Sequence, residues 1–189
     1  MRFVPTELDG AYIIEVEPIT DERGSFARIF CEKEFAEKGL QGRFVQCNVA
    51  WNKAKGTLRG MHYQVAPHAE VKIVRCTRGV IHDVIVDLRP ASSTYCKWTA
   101  VELDPWCNRM VYVPDGFAHG YQTLAPDTEV FYWMSAFYVP SAQRAVRWND
   151  PVFGIKWPIS DPKLSNRDRS LPDFEVRGPK GTRKDTYLG

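Results

Sequence analysis

Gly56-Thr57-Leu58-Arg59-Gly60-Met61-His62-Tyr63-Gln64, with Lys72 just beyond it, is the stretch on which the reading of this chain turns. It sets an arginine, an imidazole and an amine in a segment that otherwise has the pattern of a β-hairpin. Successive side chains of a strand point to opposite faces, so residues of one parity share a face. On that count His62 and Lys72 look into one cavity from adjacent strands. An imidazole beside a fixed cation can take a proton from a carbon next to a carbonyl and hold the resulting enolate. Arg59 has the opposite parity, and joins them only if Gly60 marks a bulge that re-aims one side chain. A half-buried hairpin with ordinary polar residues fits the same stretch.

Outward from here, most of the chain reads as short strands separated by turns. Tyr12 to Val16 and Phe26 to Phe30 flank a turn at Asp21-Glu22-Arg23-Gly24. Glu32 to Lys38 has a helical pattern, with Phe35 and Ala36 apolar and Gly39 placed to end it. Strands follow at Phe44–Trp51, Thr57–Gln64, Val71–Cys76, Val80–Leu88, Trp98–Leu103, Met110–Val113, Gly120–Leu124 and Glu129–Met134. The Gly-, Pro-, Asn- and Asp-bearing turns between them predict a sandwich or barrel, not βαβ units. After Tyr138 the chain turns Pro- and Trp-rich and irregular, a segment expected to wrap the β core. Ser165 is placed to cap a short helical turn through Asp168. Residues 1–177 read as one domain and residues 178–189 as a polar, basic tail expected to lack fixed structure.

The 189 residues suffice for one sizeable core. With 44% hydrophobic and 25% charged residues, the composition is that of an ordinary soluble globular protein. A net charge of +2 argues for neither nucleic acid nor a membrane surface, and leaves a few local arginines to bind an anionic small molecule. No apolar run approaches the ~20 residues that cross a bilayer, and Met1-Arg2-Phe3-Val4-Pro5-Thr6-Glu7 lacks the apolar region of a signal peptide. Cys31, Cys47, Cys76, Cys96 and Cys107 are scattered, without a CxxC pair. They fit reduced, mostly packed thiols in a cytoplasmic protein.

A second stretch, Pro114-Asp115-Gly116-Phe117-Ala118-His119-Gly120, delivers His119 from a turn onto the next strand. Its P-x-G-x-x-H spacing matches the second half of the cupin signature, and Gly56-x5-His62 matches the start of the first half. Gln64 stands where that signature has its second histidine. A metal would then have His62, Glu70 and His119 at best, with Gln64 a poor substitute for imidazole. No metal site and no cofactor are expected.

Read jointly, the motifs resemble the dTDP-4-dehydrorhamnose 3,5-epimerase family of nucleotide-sugar epimerases. The resemblance runs from about Phe3 to Phe174. It rests on Asp21–Gly24, Phe44–Asn48, Leu58–Gln64, Asp83–Arg89, Pro114–Gly120, Glu129–Tyr132, Trp148–Pro151 and Ser165–Asp168, in that order. It implies a mainly β, cupin-type jelly-roll barrel with a short N-terminal helix and an irregular C-terminal wrap, assembled as a homodimer. It further implies a nucleoside-diphosphate 4-keto-6-deoxyhexose as substrate, inverted at C5, C3 or both through an enolate. In that family scheme His62 is the base, Asp168 the carboxylate that orients it, Tyr132 the acid on the opposite face and Lys72 the cation near the C4 oxygen. Arg23 and Arg59 would hold the diphosphate and Phe26 and Tyr138 sandwich the base. Gln46 and Asn48 would add polar contacts, and His119 would support the cavity.

The chemistry suits these types. Inversion removes a proton from one face and delivers one to the other, which two groups do more easily than one. Imidazole, with a reference pKa of about 6.5, accepts a proton at neutral pH, and phenol, near 10, can donate one. The family pattern places a glutamate where Arg28 stands. A guanidinium only donates, so it cannot accept from thymine N–H, whereas cytosine offers acceptors at N3 and O2. Two expectations follow: a switch of the nucleotide from dTDP to CDP, or an Arg28 that turns away to a phosphate or a surface carboxylate with dTDP still bound. Asn48-Val49-Ala50-Trp51-Asn52 and Gln143 also depart from the pattern, again near substrate recognition. A metal-dependent cupin isomerase or oxygenase, and a non-catalytic sugar-nucleotide-binding cupin, are the alternative classes.

Overall fold

Apolar residues at every second position give most strands one face to bury, and the strands pair into two facing antiparallel sheets. The computed structural model describes residues 1–176, so the tail expected at residues 178–189 lies outside the described residues. Numbered in chain order, the strands are β1 (Arg2–Pro5), β2 (Tyr12–Glu15), β3 (Ile19–Asp21), β4 (Gly24–Phe26), β5 (Gln46–Asn52), β6 (Leu58–Gln64), β7 (Lys72–Arg78), β8 (Ile81–Asp87), β9 (Trp98–Leu103), β10 (Arg109–Val113), β11 (Phe117–Thr123), β12 (Thr128–Met134) and β13 (Gln143–Ala145). One sheet runs β1-β2-β10-β7-β12-β5 and the other β13-β6-β11-β8-β9, while β3 and β4 form a separate hairpin. This is the expected jelly roll; among the described residues the α-helices are α1 (Glu32–Glu37) and α2 (Asn166–Arg169), with a 3-10 turn at Pro140–Ala142. Among the described residues no helix is long and apolar enough to cross a membrane.

The period-two pattern sorts side chains among three packing zones. Val74, Cys76, Ile81, Ile85, Val111, Val113, Phe117 and Val130 meet between the sheets. Ile73, Met110 and Tyr112 face outward and pack around the buried Phe35 of α1. On the other sheet Val84, Val86 and Ala118 face outward and are covered by Val146, Phe153 and Ile155 of the C-terminal wrap. The wrap is therefore bound by ordinary hydrophobic burial, roughly 25 cal/mol per Å² of apolar surface. That burial keeps its far end, with Asp168, against the barrel.

Several expectations need correction. β6 and β7 are not adjacent strands of a hairpin; they belong to different sheets, so His62 and Lys72 approach from opposite walls. The strand expected over Phe26 to Phe30 stops at Phe26, because Ile29 and Phe30 turn in to pack against the Phe35 cluster. β1 was not anticipated. Neither was β13, which pairs Gln143, Arg144 and Ala145 with Gln64, Tyr63 and His62 inside the segment read as irregular. The cysteines are all free thiols, but Cys47 is exposed on the outer face of β5.

The bulge at Gly60 is real. β11 pairs His119 with His62 but Tyr121 with Arg59, so β6 spends one residue more than β11 over this interval. Gly60 has φ +149°, and a Cβ there would lie 2.5 Å from the Cα of Gly120. A Cβ on Gly120 would in turn lie 2.8 Å from the Arg59 carbonyl oxygen. Only glycine on both strands permits this approach, and the extra residue turns Arg59 to the same face as His62.

Candidate active site

A cavity of about 550 Å³ opens at one end of the barrel, and Arg59, His62, Lys72, His119, Tyr132 and Asp168 all line it. A second lobe of about 350 Å³ shares His62, Lys72 and Tyr132 and adds Gln46, Asn48 and Tyr138. The three shared residues thus sit where the lobes join. His62 comes from β6 in one sheet, Lys72 and Tyr132 from β7 and β12 in the other. A molecule held at the junction therefore meets His62 on one side and Tyr132 on the other.

His62 Nε2 lies 2.7 Å from Asp168 Oδ1, a contact that spans 106 positions of sequence. Ser165 caps α2 by accepting from the Asp168 backbone N–H at 3.1 Å, which aims the carboxylate at the barrel. Burial pushes the Asp168 carboxyl up. The His62 hydrogen bond, the His62 and Arg167 charges and the Ser165 contact outweigh it and hold Asp168 below the usual carboxylate range. An ionised Asp168 only accepts, so the ring proton belongs on Nε2 and Nδ1 is the basic nitrogen. Burial raises Tyr132, Arg59 opposes that rise and Glu70 adds to it, so the phenol stays protonated.

Lys72 is buried; its Nζ lies 3.0 Å from Glu70 Oε1 and 3.5 Å from the His62 carbonyl oxygen. Arg59 Nε donates to Asn52 Oδ1 at 2.8 Å, and Asn52 also bonds the hydroxyl of Tyr121. Burial carries the Tyr121 phenol up to about 12. Lys163 and Arg167 join Arg59 at the mouth of the larger lobe. Backbone hydrogen bonds from Leu58 N to Lys163 O and from Lys163 N to Gly56 O clip that segment to β6.

The cupin metal positions do not form a ligand set. Gln64 Nε2 donates to Glu70 Oε2 at 2.9 Å, and Gln64 Oε1 accepts from Val139 N at 2.7 Å. His62 is engaged by Asp168, and His119 Nε2 lies 2.8 Å from Asp83 Oδ2. All four side chains are thus engaged within the protein, and among the described residues no group of three or more His, Cys, Asp or Glu side chains is placed to hold a metal ion.

Of the residues singled out in the sequence, His62, Lys72, Tyr132, Asp168, Arg59 and His119 converge on the larger lobe, and Gln46, Asn48 and Tyr138 on the smaller. Arg23, Phe26 and Arg28 do not reach either lobe of this chain. Arg23 is exposed and paired with Asp21 on the β3–β4 hairpin, in a depression it shares with Phe26. Arg28 pairs with Glu34 of α1 at 3.0 Å, which is the surface-carboxylate alternative and leaves the cytosine contact without support. Asn52 and Asp83 were given no role, and Glu70 was considered only as a metal ligand, not as the partner of Lys72. Asp83 was findable: it shares the inward parity of Ile81 and Ile85, and a carboxylate on a buried face needs a partner. Gln143, flagged as a departure, accepts from Tyr138 Oη and from Arg167 Nη1, both at 2.7 Å, and joins the two lobes' rims.

A jelly-roll barrel with an imidazole–carboxylate dyad, a phenol and an ammonium around one cavity defines an acid–base enzyme for carbonyl compounds. A profile of the dTDP-4-dehydrorhamnose 3,5-epimerase family matches residues 5–175. A dTDP-4-dehydrorhamnose 3,5-epimerase of Methanothermobacter thermautotrophicus is 44% identical over 172 residues, covering 89% of this chain and 92% of the relative. The crystal structure of the Elizabethkingia anophelis enzyme of that name superposes with a TM-score of 0.89 at 40% identity, covering 92% of this chain and 96% of that one. The Bacillus anthracis enzyme, solved with TDP and PPi bound, gives 0.88 at 38% identity, covering 92% and 99%. The chain belongs to the dTDP-4-dehydrorhamnose 3,5-epimerase family, and it is an isomerase-class enzyme.

Proposed function

We propose that this chain is a cofactor-independent epimerase that inverts C5, C3 or both of a dTDP-linked 4-keto-6-deoxyhexose. The observation that carries this reading is the placement of His62 on one wall and of Tyr132 and Lys72 on the facing wall, all three where the lobes join. His62 Nδ1 takes the proton from the carbon α to the C4 ketone. The C–H electron pair becomes the enolate C=C bond, and the carbonyl π pair moves onto O4, beside the Lys72 ammonium. Tyr132 then gives its phenolic proton to the opposite face of that carbon, and exchange with water restores both groups. The fixed ammonium is favoured over water as a partner for O4 because its position costs no reorganisation as charge develops.

Arg59 meets the diphosphate next to the sugar, with Lys163 and Arg167 adding positive potential at the rim. Gln46, Asn48 and Tyr138 serve the nucleoside side. Arg23 and Phe26 then act from a second copy of the chain. Phe26 and Ile19, 75% and 74% exposed, give the hairpin an apolar surface that its own barrel leaves uncovered. A homodimer that lays this hairpin over the neighbouring cavity would bury that surface and complete the site. Reduced thiols and a nucleotide-sugar substrate fit a cytoplasmic location.

The test is solvent exchange. Incubation with the dTDP-4-keto-6-deoxyhexose in heavy water is expected to place deuterium at C5, C3 or both, and the labelled carbons report which centres invert. Full-rate exchange in both His62→Ala and Tyr132→Phe would overturn the mechanism. Calorimetry with dTDP, CDP, GDP and UDP addresses the nucleotide; a CDP preference abolished by Arg28→Glu would restore the base-switch reading.

A further inference from the structure

Glu70 is fixed at both oxygens and touches the one buried lysine of the cavity. Its Oε1 lies 3.0 Å from Lys72 Nζ, and its Oε2 accepts from Gln64 Nε2 at 2.9 Å. Both side chains of the ion pair are nearly sealed, at 4% exposure for Glu70 and 10% for Lys72. The Gln64 amide cannot swing away, because its oxygen accepts from Val139 N and its nitrogen, whose two hydrogens are shared with Glu70, also lies within 3.2 Å of the His68 and Phe137 carbonyl oxygens. Gln64 shares strand parity with His62 on β6, Glu70 lies two residues before β7, and both line the smaller lobe beside Lys72.

A buried ion pair returns little net stability, since desolvating both charges offsets their attraction. A flexible four-carbon stem, by contrast, needs an anchor if its ammonium is to meet a developing charge in one place. We infer that Glu70 is a positioning residue for the epimerisation: it holds the Lys72 ammonium at the C4 oxygen, and Gln64 locks Glu70 to the segment that carries Phe137 and Tyr138. The inference rests on the function proposed above, in which Lys72 faces the enolate oxygen. In this scheme Glu70 touches none of the reacting atoms and acts chiefly through Lys72, the one reacting group it pairs with, although its charge also reaches Tyr132.

A double-mutant cycle on the full-length protein tests this, with solvent exchange at C3 and C5 as readout and dTDP affinity and Tm as controls. Lys72→Gln is expected to slow exchange about 100-fold, the scale of losing one oxyanion donor. Glu70→Gln keeps a hydrogen-bonding group of the same shape. It is expected to slow exchange about tenfold in the wild-type background and less than about threefold in the Lys72→Gln background, as coupled neighbours do. Affinity for dTDP, which lacks the sugar, is expected to change less than about twofold in all three variants. Equal losses in both backgrounds, or a loss matched by weaker dTDP binding, would overturn the role assigned to Glu70. So would full activity in Glu70→Gln. If Lys72→Gln itself exchanged at the wild-type rate, the proposed mechanism would fail first, and the two failures are thereby distinguished.

Discussion

The cavity holds two histidine–carboxylate pairs, and they are nearly superimposable as chemistry. His62 Nε2 meets Asp168 at 2.7 Å and His119 Nε2 meets Asp83 at 2.8 Å, on strands that pair His62 directly with His119. Their surroundings differ. His62 is 29% exposed, with a carboxylate brought in from the C-terminal wrap; His119 is 9% exposed, with a carboxylate from the neighbouring strand β8. An accessible imidazole can meet a substrate carbon and exchange its proton afterwards. A sealed one holds two strands of the barrel together and presents a fixed edge to the cavity. Under the proposed mechanism the same pair of residue types serves as base in one place and as wall in the other, and solvent access makes the difference.

The largest expected separation between the pairs is in turnover. His62→Ala should lower the exchange rate on the order of 10³-fold, at the upper part of the range for losing a general base. His119→Asn should lower it about tenfold, because it perturbs the wall and leaves the base in place. Equal losses would erase the distinction. Tyr132→Phe removes only the phenolic proton and is expected to cost about 10²-fold in reprotonation while proton loss continues, which single-turnover exchange can separate.

The carboxylates sharpen the contrast in another currency. Asp168→Asn should reduce turnover about 10²-fold by favouring the wrong imidazole tautomer, with a modest change in Tm. His119→Asn should instead reduce stability by about 3 kcal/mol in denaturant titration, since it strands the Asp83 charge in the core. Acid sensitivity separates the wrap from the barrel as well. Because Asp168 is held below the usual carboxylate range, its contribution is complete above the unfolded value of about 3.9 and is lost as pH falls further, through the depressed folded value. Stability measured below pH 4 should therefore fall more steeply in the wild type than in Asp168→Asn. The smallest effect belongs to the hairpin: under the proposed dimer, Arg23→Ala should raise KM about tenfold with little change in kcat, at protein concentrations high enough for two copies to associate.

Much of this was legible in one dimension. Alternation is a local property of strands, and it placed His62 and Lys72 on inward faces; His119 was placed from its turn motif, and β11 starts at Phe117, three residues before the expected Gly120. Glu32–Glu37 and its Gly39 stop were equally local, as φ +68° at Gly39 bears out. Arg28 shows where such reading gives out. The resemblance set its position at the nucleotide base, but in the structure its side chain is held by Glu34 on α1, a partner that no motif names. The edge strand Gln143–Ala145 was illegible for a similar reason: its pairing comes from the exposed edge of β6, not from its own composition.

Strand-and-turn patterning alone was enough to read this chain as a β sandwich or barrel with His62 and Lys72 facing inward, because residue type and strand parity are local quantities; the roles of acid, base and cation came from the family resemblance. Tertiary structure alone decided which of them meet. Arg59 faces His62 because Gly60 and Gly120 let two strands approach within contact that any Cβ would block. Asp168 reaches His62 because apolar burial under the wrap closes a loop of more than a hundred residues. Neither event is written at any one position; both follow from packing energies shared across the two sheets.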